Sequence, residues 1–177
     1  MMKYVALLRG INVGGNKKVQ MSDLKKAFMK IGLRNIKTIL ASGNVIFESE
    51  LESIDKLIIE ISEMLENTFK FPIRIMILKF PDFEKLIALN PFKAIKVTPQ
   101  TRLYTTFLSE KHENKLGVNY ISHDKSFKII SVTKNAVFSV LDLSISNTPE
   151  AMNALEKIYG QNITTRNWNT VLKIATL

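Results

Sequence analysis

The chain has 177 residues, a net charge of +9 and no cysteine. That length suits one domain or two small lobes sharing a core. Zero cysteines exclude a disulfide framework and thiolate metal sites, and no apolar run approaches the roughly 18 residues of a membrane span.

Charge is unevenly placed. Residues 1–37 carry nine Lys and Arg against Asp23 alone, whereas residues 38–72 carry seven acids against Lys56 and Lys70. A basic region of that kind attracts anions, and its bland alternative is a solvated lysine-rich face. His112 and His123 lie eleven apart with no third ligand near them, so no metal site is expected. The opening residues form a strand pattern with no signal-peptide layout, and the expected compartment is the cytoplasm.

Tyr4–Leu8 is an apolar run on both parities, which predicts a first strand covered on both faces. Arg9-Gly10-Ile11-Asn12-Val13-Gly14-Gly15-Asn16 follows, holding three of the seven glycines. A helix is predicted after it, with Ser22 as N-cap, Leu24, Phe28 and Ile31 on its apolar face, and Gly32 as its stop. Strand, glycine loop, helix is an arrangement that can turn backbone N–H groups toward an anion. Neither familiar phosphate motif is met. Asn16 stands where a P-loop needs lysine, and Gly10-Ile11-Asn12 lacks the second glycine of the dinucleotide fingerprint, so no cofactor is expected. The plainer reading is a wide turn whose glycines supply positive φ.

Residues 36–41 and 45–47 read as two strands joined at Ser42-Gly43-Asn44, a compact turn. Residues 53–69 form an amphipathic helix, with Ile54, Leu57, Ile58, Ile61, Met64 and Leu65 on one face. A strand at 73–78 completes a β-α-β-β-α-β order, which fits a ferredoxin-like α+β sheet. Such sheets can stack RNA bases on exposed aromatics, but Tyr4 and Phe47 are the most these strands offer.

A short helix then runs to Asn90-Pro91, and Pro91 to Pro99 reads as a linker. Strands are predicted at 103–108, 127–132 and 137–143, with a helix or loop at 110–115 and a hairpin at Lys134-Asn135. Thr148-Pro149-Glu150 opens a helix that Gly160 ends. A last helix, capped by Thr165 or Asn167, turns Trp168, Val171, Leu172 and Ala175 to one face. The expected architecture is α+β: a ferredoxin-like lobe at 1–92 and a second, similar lobe at 93–177, packed as one compact unit.

Tyr4 to Gly15, Ser42-Gly43-Asn44-Val45, Asn90-Pro91-Phe92 and Thr165-Arg166-Asn167-Trp168-Asn169-Thr170 together resemble the signatures of a bacterial family, catalogued as domain of unknown function 1697. The resemblance runs from near residue 3 to near residue 173. It implies a cytoplasmic protein with an α+β fold of two related lobes, and it assigns no reaction, substrate or cofactor.

The candidate ligand-binding residues are Arg9, Gly10, Asn12, Gly14, Gly15, Ser42, Asn44, Arg166, Asn167 and Asn169. They are polar groups and glycines at strand ends and turns. Two arginines there could grip a phosphate or carboxylate bidentately. The reading ranked first is binding of a small anionic ligand, a nucleotide or phosphorylated metabolite. Next stands a structural, partner-binding or homo-oligomeric role, in which the same residues satisfy loop carbonyls. Nucleic-acid binding through the basic N-terminal region is third, and no membrane partner is expected. No nucleophile stands with a matched base, so catalysis is left open.

Overall fold

The computed structural model describes residues 1–15, 17–109 and 120–177. The element order is β1 (Met2–Arg9), α1 (Met21–Lys30), β2 (Arg34–Ile39), β3 (Asn44–Ser49), α2 (Ile54–Phe69), β4 (Arg74–Lys79) and α3 (Phe80–Ala88). There follow β5 (Thr101–Leu108), β6 (Phe127–Val132), β7 (Ala136–Asp142), α4 (Thr148–Tyr159), β8 (Ile163–Asn167) and α5 (Trp168–Ala175). The expected helix or loop at 110–115 lies outside the described residues. Packing divides the chain into a unit of residues 1–85 with 173–177, and a unit of residues 86–172.

The first unit is built on a four-stranded antiparallel sheet, β2-β3-β1-β4. That is the strand arrangement a βαββαβ chain with a central hairpin produces. Alternation sorts β1 into two faces. Tyr4, Ala6 and Leu8 turn into the core beneath α1 and α2, joined there by Leu24, Phe28, Phe47, Leu57 and Ile61. Tyr4 to Leu8 are all essentially inaccessible to water. Tyr4 and Phe47 stack with ring centroids 5.5 Å apart. They are core residues, so this sheet presents no aromatic platform for bases.

Helix ends follow local chemistry. Ser53 caps α2 by accepting a hydrogen bond from the Lys56 N–H, which satisfies one of the donors the first turn leaves open. In α1 the expected cap, Ser22, lies inside the helix. The N-cap is Gln20, whose carbonyl accepts from Asp23 and Leu24 and which contributes no side-chain bond.

The second unit repeats the order with different strands: β6-β7-β5-β8, again antiparallel. β8 was not expected. Its sequence, Ile163-Thr164-Thr165-Arg166-Asn167, has no apolar alternation, yet it pairs with β5 as the sheet's edge. Threonines fill that seam, and Thr106 Oγ1 lies 2.8 Å from Thr165 Oγ1. One face of the sheet packs under α4 through Tyr104, Val137, Leu141, Leu155 and Tyr159. The buried positions of α5 are Trp168, Val171 and Ile174, while Leu172, expected among them, is 38% exposed. Trp168 meets Phe92 edge-on at 5.2 Å, so Phe92, at the start of the expected linker, is a core residue of this unit.

Candidate functional site

The glycine loop is held shut by its own asparagine. Asn12 has φ of 56°, and its backbone N–H donates to the Lys17 carbonyl at 3.2 Å. Its side chain accepts from the Val19 N–H at 2.8 Å and donates to the Val19 carbonyl at 2.9 Å. Those two bonds imitate a strand pairing and bring the chain back toward α1. A further bond to the Ala41 carbonyl, 2.7 Å, ties this loop to the β2–β3 turn.

That turn is also closed from within. Asn44, fully buried, donates to the Ile39 carbonyl and to Ser42 Oγ, both at 2.9 Å. The Leu8 N–H donates to the Gly43 carbonyl at 2.8 Å. Gly43, with φ of 73°, lies so close to the glycine loop that a Cβ there would stand 2.7 Å from Ile11 Cδ1. Asn12, Ser42 and Asn44 are therefore brought together around one two-loop tip, where the Asn12 and Asn44 amides bond to the protein itself. Gly10, Gly14 and Gly15 are exposed along that tip. Arg9, half-buried at the end of β1, stands opposite Arg74 of β4.

Arg166, Asn167 and Asn169 belong to the second unit. Asn167 Oδ1 accepts from the Asn169 N–H at 3.0 Å and so caps α5. Arg166 Nη1 donates to the Thr165 carbonyl at 3.0 Å. Burial pulls its guanidinium down to about 10, because the charged form loses solvation there. Thr105, its partner in register on β5, is fully buried, and its hydroxyl has no hydrogen-bond partner among the described residues.

The first unit also holds a groove of about 1030 Å³ that the sequence motifs did not single out. It runs along β2, the edge strand, and reaches the exposed side of α1. Four cations line it: Lys3, Lys25, Arg34 and Lys37. Glu48 is the one carboxylate side chain among the lining residues. Strand register explains the cluster. Lys3 on β1 and Arg34 on β2 both pair with Glu48 on β3, which makes a cation–anion–cation row across three strands. A bulge between Arg34 and Lys37, with Asn35 at φ of 50°, shifts the edge strand there. Asn35 Nδ2 donates to Glu48 Oε2 at 2.7 Å.

Two of the cations are held in place by their own contacts. Lys3 Nζ sits 3.6 Å from the centre of the Phe80 ring, a cation–π contact. Lys37 Nζ donates to the Leu177 carbonyl at 2.8 Å. Lys25 and Arg34 are exposed, and their side chains make no hydrogen bond or ion pair among the described residues. The signal for this groove was present in the sequence as the basic surplus over residues 1–37. It gave a sum, and the sheet register turned that sum into a place.

A family model described as protein of unknown function (DUF1697) matches residues 1–138, and the chain belongs to that family. The fold is similar to that of a solved structure, the conserved bacterial protein SP0830 from Streptococcus pneumoniae. The two are 24% identical, with a TM-score of 0.75, over 99% of this chain and 97% of that one. That likeness shows a shared fold and assigns no chemistry. No curated protein matches the chain. Among the described residues, no helix is long and apolar enough to cross a membrane.

Proposed function

We propose that the protein binds a small anionic ligand, a nucleotide or phosphorylated metabolite, and that the β2-edge groove receives it. The observation that carries this reading is the lining: four cationic side chains against one carboxylate side chain, in an open groove with room for a nucleotide. Such a cluster attracts an anion, and a phosphate entering it gains charge-assisted hydrogen bonds. Arg34 offers a planar fork suited to two phosphate oxygens, and Lys25 and Lys37 act as point charges on either side. The glycine-loop residues serve this reading as architecture, because Asn12 and Asn44 are spent on holding the tip that ends β1 and starts β3.

Calorimetric titration with AMP, ATP and a sugar phosphate, at low and moderate salt, tests the proposal. Binding by one of them that persists in moderate salt and is lost in Arg34→Gln supports it. Binding by short oligonucleotides alone, falling steeply with salt, would transfer the basic face to nucleic acid. Silence from every anion would return the groove to a solvated surface.

A further inference from the structure

We infer that the groove is built for an amphipathic anion, one with a charged head and a short apolar arm. This deepens the anion-binding reading above and rests on it. Two observations carry it. The first is the composition of the walls. Met29, 58% exposed, and Leu177, 41% exposed, are large apolar side chains left to water inside the same groove that collects the four cations. Buried Leu33 and Ile36 stand beneath them. A bare inorganic anion would satisfy the cations and leave that apolar surface wet.

The second observation is Leu177 itself. Its carbonyl oxygen accepts from Lys37 Nζ at 2.8 Å, and the residue lines the groove together with that lysine. An oxygen acceptor on an ammonium, carried by a residue with a branched aliphatic side chain, is the chemical outline of an amphipathic ligand. The chain places such a group there from its own sequence, since residues 173–177 pack with the first unit. A phosphate head, with several anionic oxygens, would offer Lys37 and its neighbouring cations acceptors for further charge-assisted bonds. The ligand's arm would cover Met29.

The test is a series of monoalkyl phosphates, methyl, butyl and hexyl, titrated calorimetrically into the full chain. A fully covered methylene is worth about fourfold in affinity. In an open groove, where coverage is partial, the gain from methyl to hexyl is expected to be at least tenfold. Met29→Asn, at an exposed position, should abolish most of that gain and leave methyl phosphate binding unchanged. The methyl resonance of Met29 should shift on adding hexyl phosphate and stay still on adding methyl phosphate. Equal affinities for methyl and hexyl phosphate, both lost in Arg34→Gln, would overturn the inference and leave anion binding standing. A hexyl gain that survives Met29→Asn, with the Met29 methyl of the wild type silent, would overturn it too. No binding by any phosphate, alkylated or not, would remove both readings together.

Discussion

Asn12 donates its side-chain amide to the Ala41 carbonyl at 2.7 Å, across 29 residues of sequence. One small side chain thereby fastens the glycine loop to the β2–β3 turn, while its other contacts fix the backbone of Val19. Net contributions of hydrogen bonds run about 0.5–1.5 kcal/mol each, and solvent reaches part of this tip. Asn12→Ala is expected to cost about 2 kcal/mol, including a share for placing alanine at a left-handed φ. Asn12→Gly should recover that share and no more. Urea denaturation of the two variants separates the terms. If groove affinity for a nucleotide falls in either variant by more than twofold, the tip is part of the site and not merely its frame.

Gly43 and Gly10 both have positive φ, 73° and 74°, and differ in their surroundings. A Cβ at Gly43 would meet Ile11 Cδ1 at 2.7 Å and Leu8 Cβ at 2.8 Å, whereas one at Gly10 meets nothing within 4 Å. Gly10→Ala should therefore cost only the left-handed strain, about 1–2 kcal/mol. Gly43→Ala adds overpacking of about 1–3 kcal/mol. Melting temperatures should rank wild type, Gly10→Ala, Gly43→Ala in falling order. Equal losses would mean that the two loops part easily.

The fold was largely legible because its signals were periodic. Leu57, Ile61 and Leu65 repeat at helical spacing, and Tyr4–Leu8 is apolar on both parities, so the first unit's elements could be written from the sequence. β8 was missed for a physical reason. Its register with β5 is held by ladder bonds and threonine contacts, and these leave no hydrophobic period to read. The site divided along the same line. Asn12, Ser42 and Asn44 were visible as a polar motif, and the structure joins them at one two-loop tip. Lys3 lies too far in sequence from Arg34 and Lys37 to form a motif with them. Only the pairing of β1, β3 and β2 places Lys3 and Arg34 beside Glu48.

Asp124 offers a stability handle that owes nothing to the groove. Its Oδ1 accepts from Ser122 Oγ at 2.6 Å, Ser126 Oγ at 2.8 Å and the Ser126 N–H at 3.1 Å. The Ser122 hydroxyl first, and then both Ser126 donors, hold its carboxyl below the usual aspartate range. A carboxyl lowered in the folded state contributes stability above its unfolded pKa and loses it as pH falls through the folded value. The contribution should therefore be full above about pH 4 and fade below it. Melting temperature measured from pH 6 to pH 2 should fall less in Asp124→Asn than in the wild type. Parallel curves would mean that the turn does not need the charge.

Glu48 is the point at which groove charge and sheet structure can be separated. It stands between Lys3 and Arg34 in register and accepts from Asn35 at 2.7 Å. Glu48→Gln keeps an acceptor for Asn35 while removing the one carboxylate side chain lining the groove. Cross-strand charge pairs are worth roughly 0.2–1 kcal/mol, so the variant should lose at most that much stability. The negative charge of Glu48 also opposes an incoming anion. Its removal should tighten nucleotide binding by a comparable free energy, a factor of about 1.5 to 5, with the gain largest at low salt, where screening is weakest. Titration of the variant and of the wild type at two ionic strengths reads both effects. A variant that loses stability and gains no affinity would mean that Glu48 answers only to its strand neighbours, and the anion would then have to be sought away from that row.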